Sequence, residues 1–122
     1  MSAKKRFTAL VRECNDRFRY LSDPPGIELL KTVQEFEADG GGDCKDGGFW
    51  IAQKMGTISK EEGALYGCVG FTPQGRHFWL EFEDRFSRLV GDWTSGWVNG
   101  MPEGWRRDER FPWVGDHWEK PA

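Results

Sequence analysis

The chain has 122 residues, of which 38% are hydrophobic, 30% charged and 15% aromatic, with a formal net charge of −3. That length makes one domain and can bury a core without disulfide or metal staples, and so aromatic a composition argues against disorder. Three cysteines at unrelated spacings exclude a disulfide framework and point to a reducing compartment.

The start, MSAKKRFTALVREC, has basic residues but neither the apolar stretch nor the cleavage site of a signal peptide. No run approaches the ~18 apolar residues of a membrane span. The expectation is a cytoplasmic protein without a membrane. Charge is distributed unevenly: residues 1–20 hold six basic and two acidic groups, residues 23–46 seven acidic and two basic. Either a basic face or two charge-complementary helices follows from that asymmetry.

Phe7, Leu10, Val11, Cys14, Phe18 and Leu21 recur at helical spacing and predict a first helix capped by Ser2. Lys5, Arg12 and Arg19 lie off its apolar stripe. Asp23 followed by Pro24 reads as the cap and first position of a second helix, with Ile27, Leu30, Val33 and Phe36 on one side. Gly40 to Gly42 stop it. The connection from Asp39 to Gly48, rich in glycine and aspartate, reads as a mobile solvated loop. It lacks the Gly-Lys-Ser/Thr of a phosphate-binding loop. Asp39, Asp43 and Asp46 lack the alternating spacing of a calcium loop.

Residues 49–71 admit two readings. In one, FWIAQKM and ALYGCVGF are strands joined across SKEEG. In the other, IAQKMGTISKEEGALYG resembles a helix-turn-helix, with Ile51, Ala52, Met55 and Gly56 in the first helix and turn and Ser59 capping the second helix. Thr57 is then an insertion, Glu62 or Gly63 stands where a core anchor belongs, and Lys60 is the one basic residue that the second helix offers to DNA.

Thr72-Pro73-Gln74-Gly75 reads as a helix start, and Phe78, Trp79, Phe82, Phe86, Leu89, Val90 and Trp93 as a long third helix closed at Gly91. Alternation of Phe78, Leu80 and Phe82 permits a short strand instead. Glu81, Glu83 and Asp84 would pair with Arg85 and Arg88 along that helix. VGFTPQGRHFWLEFEDRF resembles the last strand and closing helix of winged-helix domains.

Five of the seven tryptophans fall in residues 93–118, among four glycines and two prolines. Their spacing gives neither helix nor strand one face, so residues 93–122 read as an irregular strap on a 1–92 core. Trp93 and Trp97 are expected in the core. Trp105, Arg106, Arg107, Arg110, Phe111, Trp113 and Trp118 combine the residue types that dominate interface hot spots and form the candidate partner-binding surface.

Catalytic chemistry is poorly signalled. His77 and His117 are the only histidines, Asp116 adjoins the second, and no local motif joins either to Cys14, Cys44 or Cys68. Cys68 reads as a small buried side chain. Paired zinc ligands are missing, so no metal and no cofactor is expected.

The sequence therefore predicts one α+β domain: two N-terminal helices, a short antiparallel element, a long third helix and a tryptophan-rich strap. Function reads as a non-enzymatic protein-binding module of inhibitor, immunity or accessory type, its partner another protein. The alternative is a winged-helix-like DNA binder using residues 51–67 and the basic first helix. A third reading, an enzyme, requires one of the three cysteines within hydrogen-bond reach of His77 or His117.

Overall fold

The computed structural model describes residues 1–23 and 30–120. Helix α1 (Ala3–Arg17) starts where expected, with the Ser2 side chain accepting from the Lys5 amide, and buries Ala3, Phe7, Val11 and Cys14. A two-residue strand β1 (Arg19–Tyr20) follows and pairs in parallel with β2 (Gly41–Gly42). Helix α2 (Val33–Asp39) begins later than the sequence suggests: Thr32 is its cap and Glu35 completes a capping box. The proposed Pro24 start lies outside the described residues.

Helix α3 (Cys44–Met55) replaces both the solvated loop and the strand reading of FWIAQKM. Asp43 caps it, accepting from the Asp46 amide, and the Asp46 carboxylate accepts in return from the Asp43 amide. Two interior glycines cost a helix about 1 kcal/mol each against alanine. They are accommodated because α3 is buried against rings. A Cβ on Gly47 would lie 2.1 Å from Trp93 Nε1, and one on Gly48 would lie 2.5 Å from Phe78 Cε1. No second helix follows Gly56. ALYGCVGF belongs to a strand, as the hairpin reading had it, so the helix-turn-helix and its DNA-reading surface are absent.

Beyond α3 the described chain is sheet. β3 (Ala64–Thr72), β4 (Gly75–Glu83), β5 (Arg88–Asp92), β6 (Trp97–Asn99) and β7 (Arg106–Pro112) form one antiparallel sheet in the order β6-β5-β4-β3-β7. The expected short β element is therefore five strands, and the long third helix does not exist. Thr72-Pro73-Gln74-Gly75 is the β3–β4 hairpin turn, with the Gln74 amide donating to Thr72 Oγ1 and Gly75 at φ 119°. Asp84 closes the β4–β5 turn by accepting from the Phe86 and Ser87 amides. Phe86, assigned to a buried helix stripe, is 86% exposed in that turn.

The period-two pattern in β4 divides its side chains. Phe78, Leu80 and Phe82 join the core beneath the helices, with Phe7, Val11, Phe36, Trp50 and Ile51. Trp79 packs with Cys68, Val90, Tyr66 and Trp105 in a second cluster. Cys68 is fully buried, as expected. Acids of β4 pair across strands rather than along a helix: Glu81 with Arg107, and Glu83 with Arg88 and Arg110.

The strap is part of this architecture. Its β6 and β7 edge the sheet on opposite sides. Trp93 is buried as expected, but Trp97 is 41% exposed. Trp113 is nearly enclosed, donates from Nε1 to the Gly56 carbonyl and packs edge-on against Trp118 with centroids 4.8 Å apart. No helix among the described residues is long and apolar enough to cross a membrane.

Candidate functional site

The capping box at Asp43–Asp46 fixes where α3 begins, and so places Cys44 in its first turn. A helix start directs free amide donors and the positive end of the dipole outward, an environment that favours an anion. Cys44 is partly exposed there, whereas Cys14 and Cys68 are fully buried. Burial pushes both of those thiols well above the usual cysteine range.

His77, on β4, meets Cys44. Its ring and the Cys44 side chain line one groove, and its Nε2 lies 3.1 Å from Asp92 Oδ1. Burial opposes a charge on the imidazole. The Asp92 and Cys44 contacts outweigh it and raise the His77 pKa to about 9. The ring is held from behind by Trp105, edge-on at 5.6 Å, and by Trp79 at 6.3 Å.

Asp92 ends β5 and is 4% exposed. Buried carboxylates need hydrogen bonds, and this one has a full set. Oδ1 accepts from the Thr94 amide and hydroxyl, and Oδ2 accepts from the Ser95 hydroxyl. Burial alone would raise the Asp92 pKa; His77, Thr94 and Ser95 together hold it below the usual carboxylate value. A thiol, an imidazole and a carboxylate thus stand in series, the order that nucleophilic catalysis at sulfur requires.

Two hollows meet at His77. A groove of about 410 Å³ runs past Asp43, Cys44, Lys45, Val69, Arg76 and Phe78. The other, about 280 Å³, is bounded by Thr72, Gln74, Asp92, Thr94, Ser95 and Trp105.

Beside Cys44 is an acidic group. Carboxylate oxygens of Asp23, Asp43 and Asp46 lie within 4.8 Å of one another. Spacing along the chain argued against a calcium loop at Asp39, Asp43 and Asp46; folding groups the last two with Asp23. The Lys45 ammonium stands among them, bonded to Asp43 and 3.3 Å from Asp23. Burial works against that charge, but Asp43 and Asp23 overcome it and hold the Lys45 pKa above the usual lysine value.

The residues assigned to a partner surface are spread over several environments. Trp105 lines the histidine hollow. Arg107 pairs with buried Glu81, and Arg110 pairs with Glu83 while lying 3.8 Å over the Tyr66 ring. Arg106 is largely exposed above Phe71. Phe111 is half-buried opposite Gly67, and Trp113 and Trp118 close the floor of α3. Of the Cys44–His77–Asp92 series, only Cys44 and His77 had been named from sequence, as one of several thiol–imidazole pairings. Asp92 was missed, and Asp116 beside His117 is an exposed pair that joins no thiol.

No family model and no curated protein matches the chain. Its fold does match solved structures of LapG from Legionella pneumophila. The calcium-bound form superposes with a TM-score of 0.75 at 19% identity, over 98% of this chain and 72% of that one. Another LapG structure gives 0.71 at 20% identity over 93% and 70%, and an EGTA-treated form gives 0.71 at 19% identity over 93% and 68%. LapG is a cysteine protease. That likeness overturns the non-enzymatic expectation: the fold is shared with a cysteine protease, and of the thiol–imidazole pairings in the third reading of the sequence, Cys44 and His77 line one groove.

Proposed function

We propose that this protein is a thiol hydrolase that cleaves amide bonds in polypeptides. Cys44 is the nucleophile, His77 the acid and base, and Asp92 the group that orients the imidazole. The Cys44–His77–Asp92 series carries this reading. Similarity to a cysteine protease fold supports it, and so does a groove combining apolar Val69 and Phe78 with basic Arg76 beside the thiol.

The thiolate, with His77 protonated, attacks the scissile carbonyl carbon, forming the C–S bond and a tetrahedral oxyanion. We assign the stabilisation of that oxygen to amides in the first turn of α3, which a helix start leaves without intrahelical partners. His77 then gives its proton to the departing nitrogen as the C–N bond breaks, leaving a thioester on Cys44. His77, now neutral, takes a proton from water, which attacks the thioester. Breakdown of the second tetrahedral species releases the carboxylic acid and regenerates the thiolate and imidazolium. Asp92 keeps the ring facing sulfur and stabilises its charged form.

Calcium is bound in one of the similar LapG structures. In this chain the Asp23, Asp43 and Asp46 carboxylates are the matching chemistry by type, since calcium takes oxygen ligands. They do not fit that ion here, because the Lys45 ammonium already lies against two of the three. No step of the reaction is assigned to a metal.

The test is incubation with a mixed peptide library and identification of new N-termini by mass spectrometry. Wild type should generate them, and Cys44→Ala and His77→Ala should not. Cleavage that persists in Cys44→Ala would remove this assignment.

A further inference from the structure

We propose that Lys45 is a positioning residue that supplies, from within the chain, the positive charge that the acidic group beside Cys44 needs, so that the nucleophile's helix assembles without a divalent cation. This inference rests on Cys44 being the nucleophile.

The three carboxylates tie together segments far apart in sequence. Asp46 is fully buried; its Oδ1 accepts from the Lys31 amide and its Oδ2 from the Asp43 amide. Asp43 Oδ1 caps α3, and its Oδ2 accepts from Lys45 Nζ. Asp23 Oδ2 accepts from the same ammonium. Asp43 and Asp46 thus set the path of backbone leading into Cys44, and Asp23 joins them through the Lys45 ammonium. Three acids this close repel one another unless a cation is shared among them.

Calcium would demand six to eight oxygen ligands at about 2.3–2.6 Å. Asp46 has committed both oxygens to backbone amides. The gap between Asp43 and Asp23 holds the ammonium, whose own charge repels a dication. Lys45 follows Cys44 directly, so the same turn of helix carries the nucleophile and the charge that settles its surroundings. The raised Lys45 pKa, set by Asp43 and Asp23 against burial, keeps that charge in place across the neutral range.

The experiment follows the melting temperature of the full chain and the rate of Cys44 alkylation by iodoacetamide, each in excess CaCl2 and in excess EGTA. Wild type and Lys45→Arg should give the same values in both. Lys45→Glu should melt lower and alkylate at an altered rate in EGTA, and CaCl2 should raise its melting temperature by about 5 °C or more and restore the rate. If Lys45→Glu does not fold, Lys45→Gln takes its place with the same two readings. A wild-type melting temperature that rises with CaCl2 would overturn the proposal. So would a lysine variant that melts with wild type in EGTA. Loss of the nucleophile assignment would show separately, as amide cleavage surviving in Cys44→Ala, and would leave the melting comparison intact.

Discussion

Trp93 Nε1 donates to the carbonyl of Cys44 across 3.2 Å. Trp93 directly follows Asp92, so one strand end holds the His77 ring with a carboxylate and fastens the Cys44 helix with an indole. The α1 residue Asn15 secures that strand end in turn, its Nδ2 donating to the Trp93 carbonyl at 2.8 Å. Strand and helix are thereby locked at the point where Cys44 and His77 must meet. Sub-ångström placement decides such chemistry.

Gly47→Ala tests this lock. The added methyl would come 2.1 Å from Trp93 Nε1 and 2.2 Å from its Cε2, both parts of a rigid ring. Overpacking of this kind costs about 1–3 kcal/mol, offset in part by alanine's helix propensity. We expect urea unfolding to show a net loss of about 2 kcal/mol, with a larger fall in kcat than in substrate affinity. Gly100→Ala, with nothing within 4 Å of the new methyl, should leave stability within about 0.5 kcal/mol of wild type.

Asp92→Asn should move the alkaline limit of activity. His77 carries a pKa of about 9 in the fold, against 6.5 for an ordinary imidazole. A raised imidazole pKa stabilises the fold fully below about pH 6.5, and that contribution is lost as pH rises through about 9. Asp92 is shifted the other way, so its contribution is present above the ordinary carboxylate range and is lost as acid protonates it. The pair therefore supports the fold from mildly acidic pH to about 9. Removing the carboxylate charge should bring the His77 titration, followed by NMR, down from about 9 toward the ordinary imidazole value. The falling limb of kcat/KM should shift with it. An unchanged limb would mean that another group sets it.

How much of this was legible in the sequence depends on range. The α1 stripe from Phe7 to Cys14 was visible because its contacts lie along one helix. At α3 local signals pointed the wrong way. Gly47 and Gly48 look like loop residues until Trp93 and Phe78 are brought against them. In β4, Phe78, Leu80 and Phe82 fit the strand period, but Trp79 and Phe86 fill in a helical one. Trp79 looks like a core residue of a helix because the far face of the sheet is also apolar, and Phe86 belongs to a turn. Cys44, His77 and Asp92 sit 33 and 15 residues apart, and no local spacing rule applies to groups joined only by strand pairing. The usable signal was the Asp43–Asp46 capping box directly around a cysteine, which marks a thiol in the first turn of a helix.

Thiol chemistry should single out Cys44. Cys14 and Cys68 are both 0% exposed, and burial disfavours their thiolates. The thiolate is the reacting form. Brief exposure of the native protein to iodoacetamide should modify one cysteine, which peptide mapping should identify as Cys44. The other two should react only after denaturation. His77→Ala should slow the native reaction by about tenfold or more at neutral pH, because the imidazolium no longer faces the sulfur.

Arg107→Met should destabilise the protein more than a surface charge change would. Glu81 is fully buried, with Oε1 2.5 Å from Arg107 Nη1 and Oε2 accepting from Trp79 Nε1 at 3.0 Å. Taking away the guanidinium leaves a buried carboxylate with one neutral donor, a situation that costs about 3–5 kcal/mol. Replacing both partners with apolar residues, as Glu81→Leu with Arg107→Met, should recover most of that loss, since the desolvation penalty disappears with the charge. Activity should not recover in step. Trp79 would lose the acceptor that fixes its ring, and that ring and Trp105 together brace His77. The double variant should therefore unfold closer to the wild-type urea midpoint than Arg107→Met does, short of it by the cost of the unpaired Trp79 Nε1–H, about 1–3 kcal/mol, while retaining a reduced kcat, which separates the support the ion pair gives the histidine from its effect on stability.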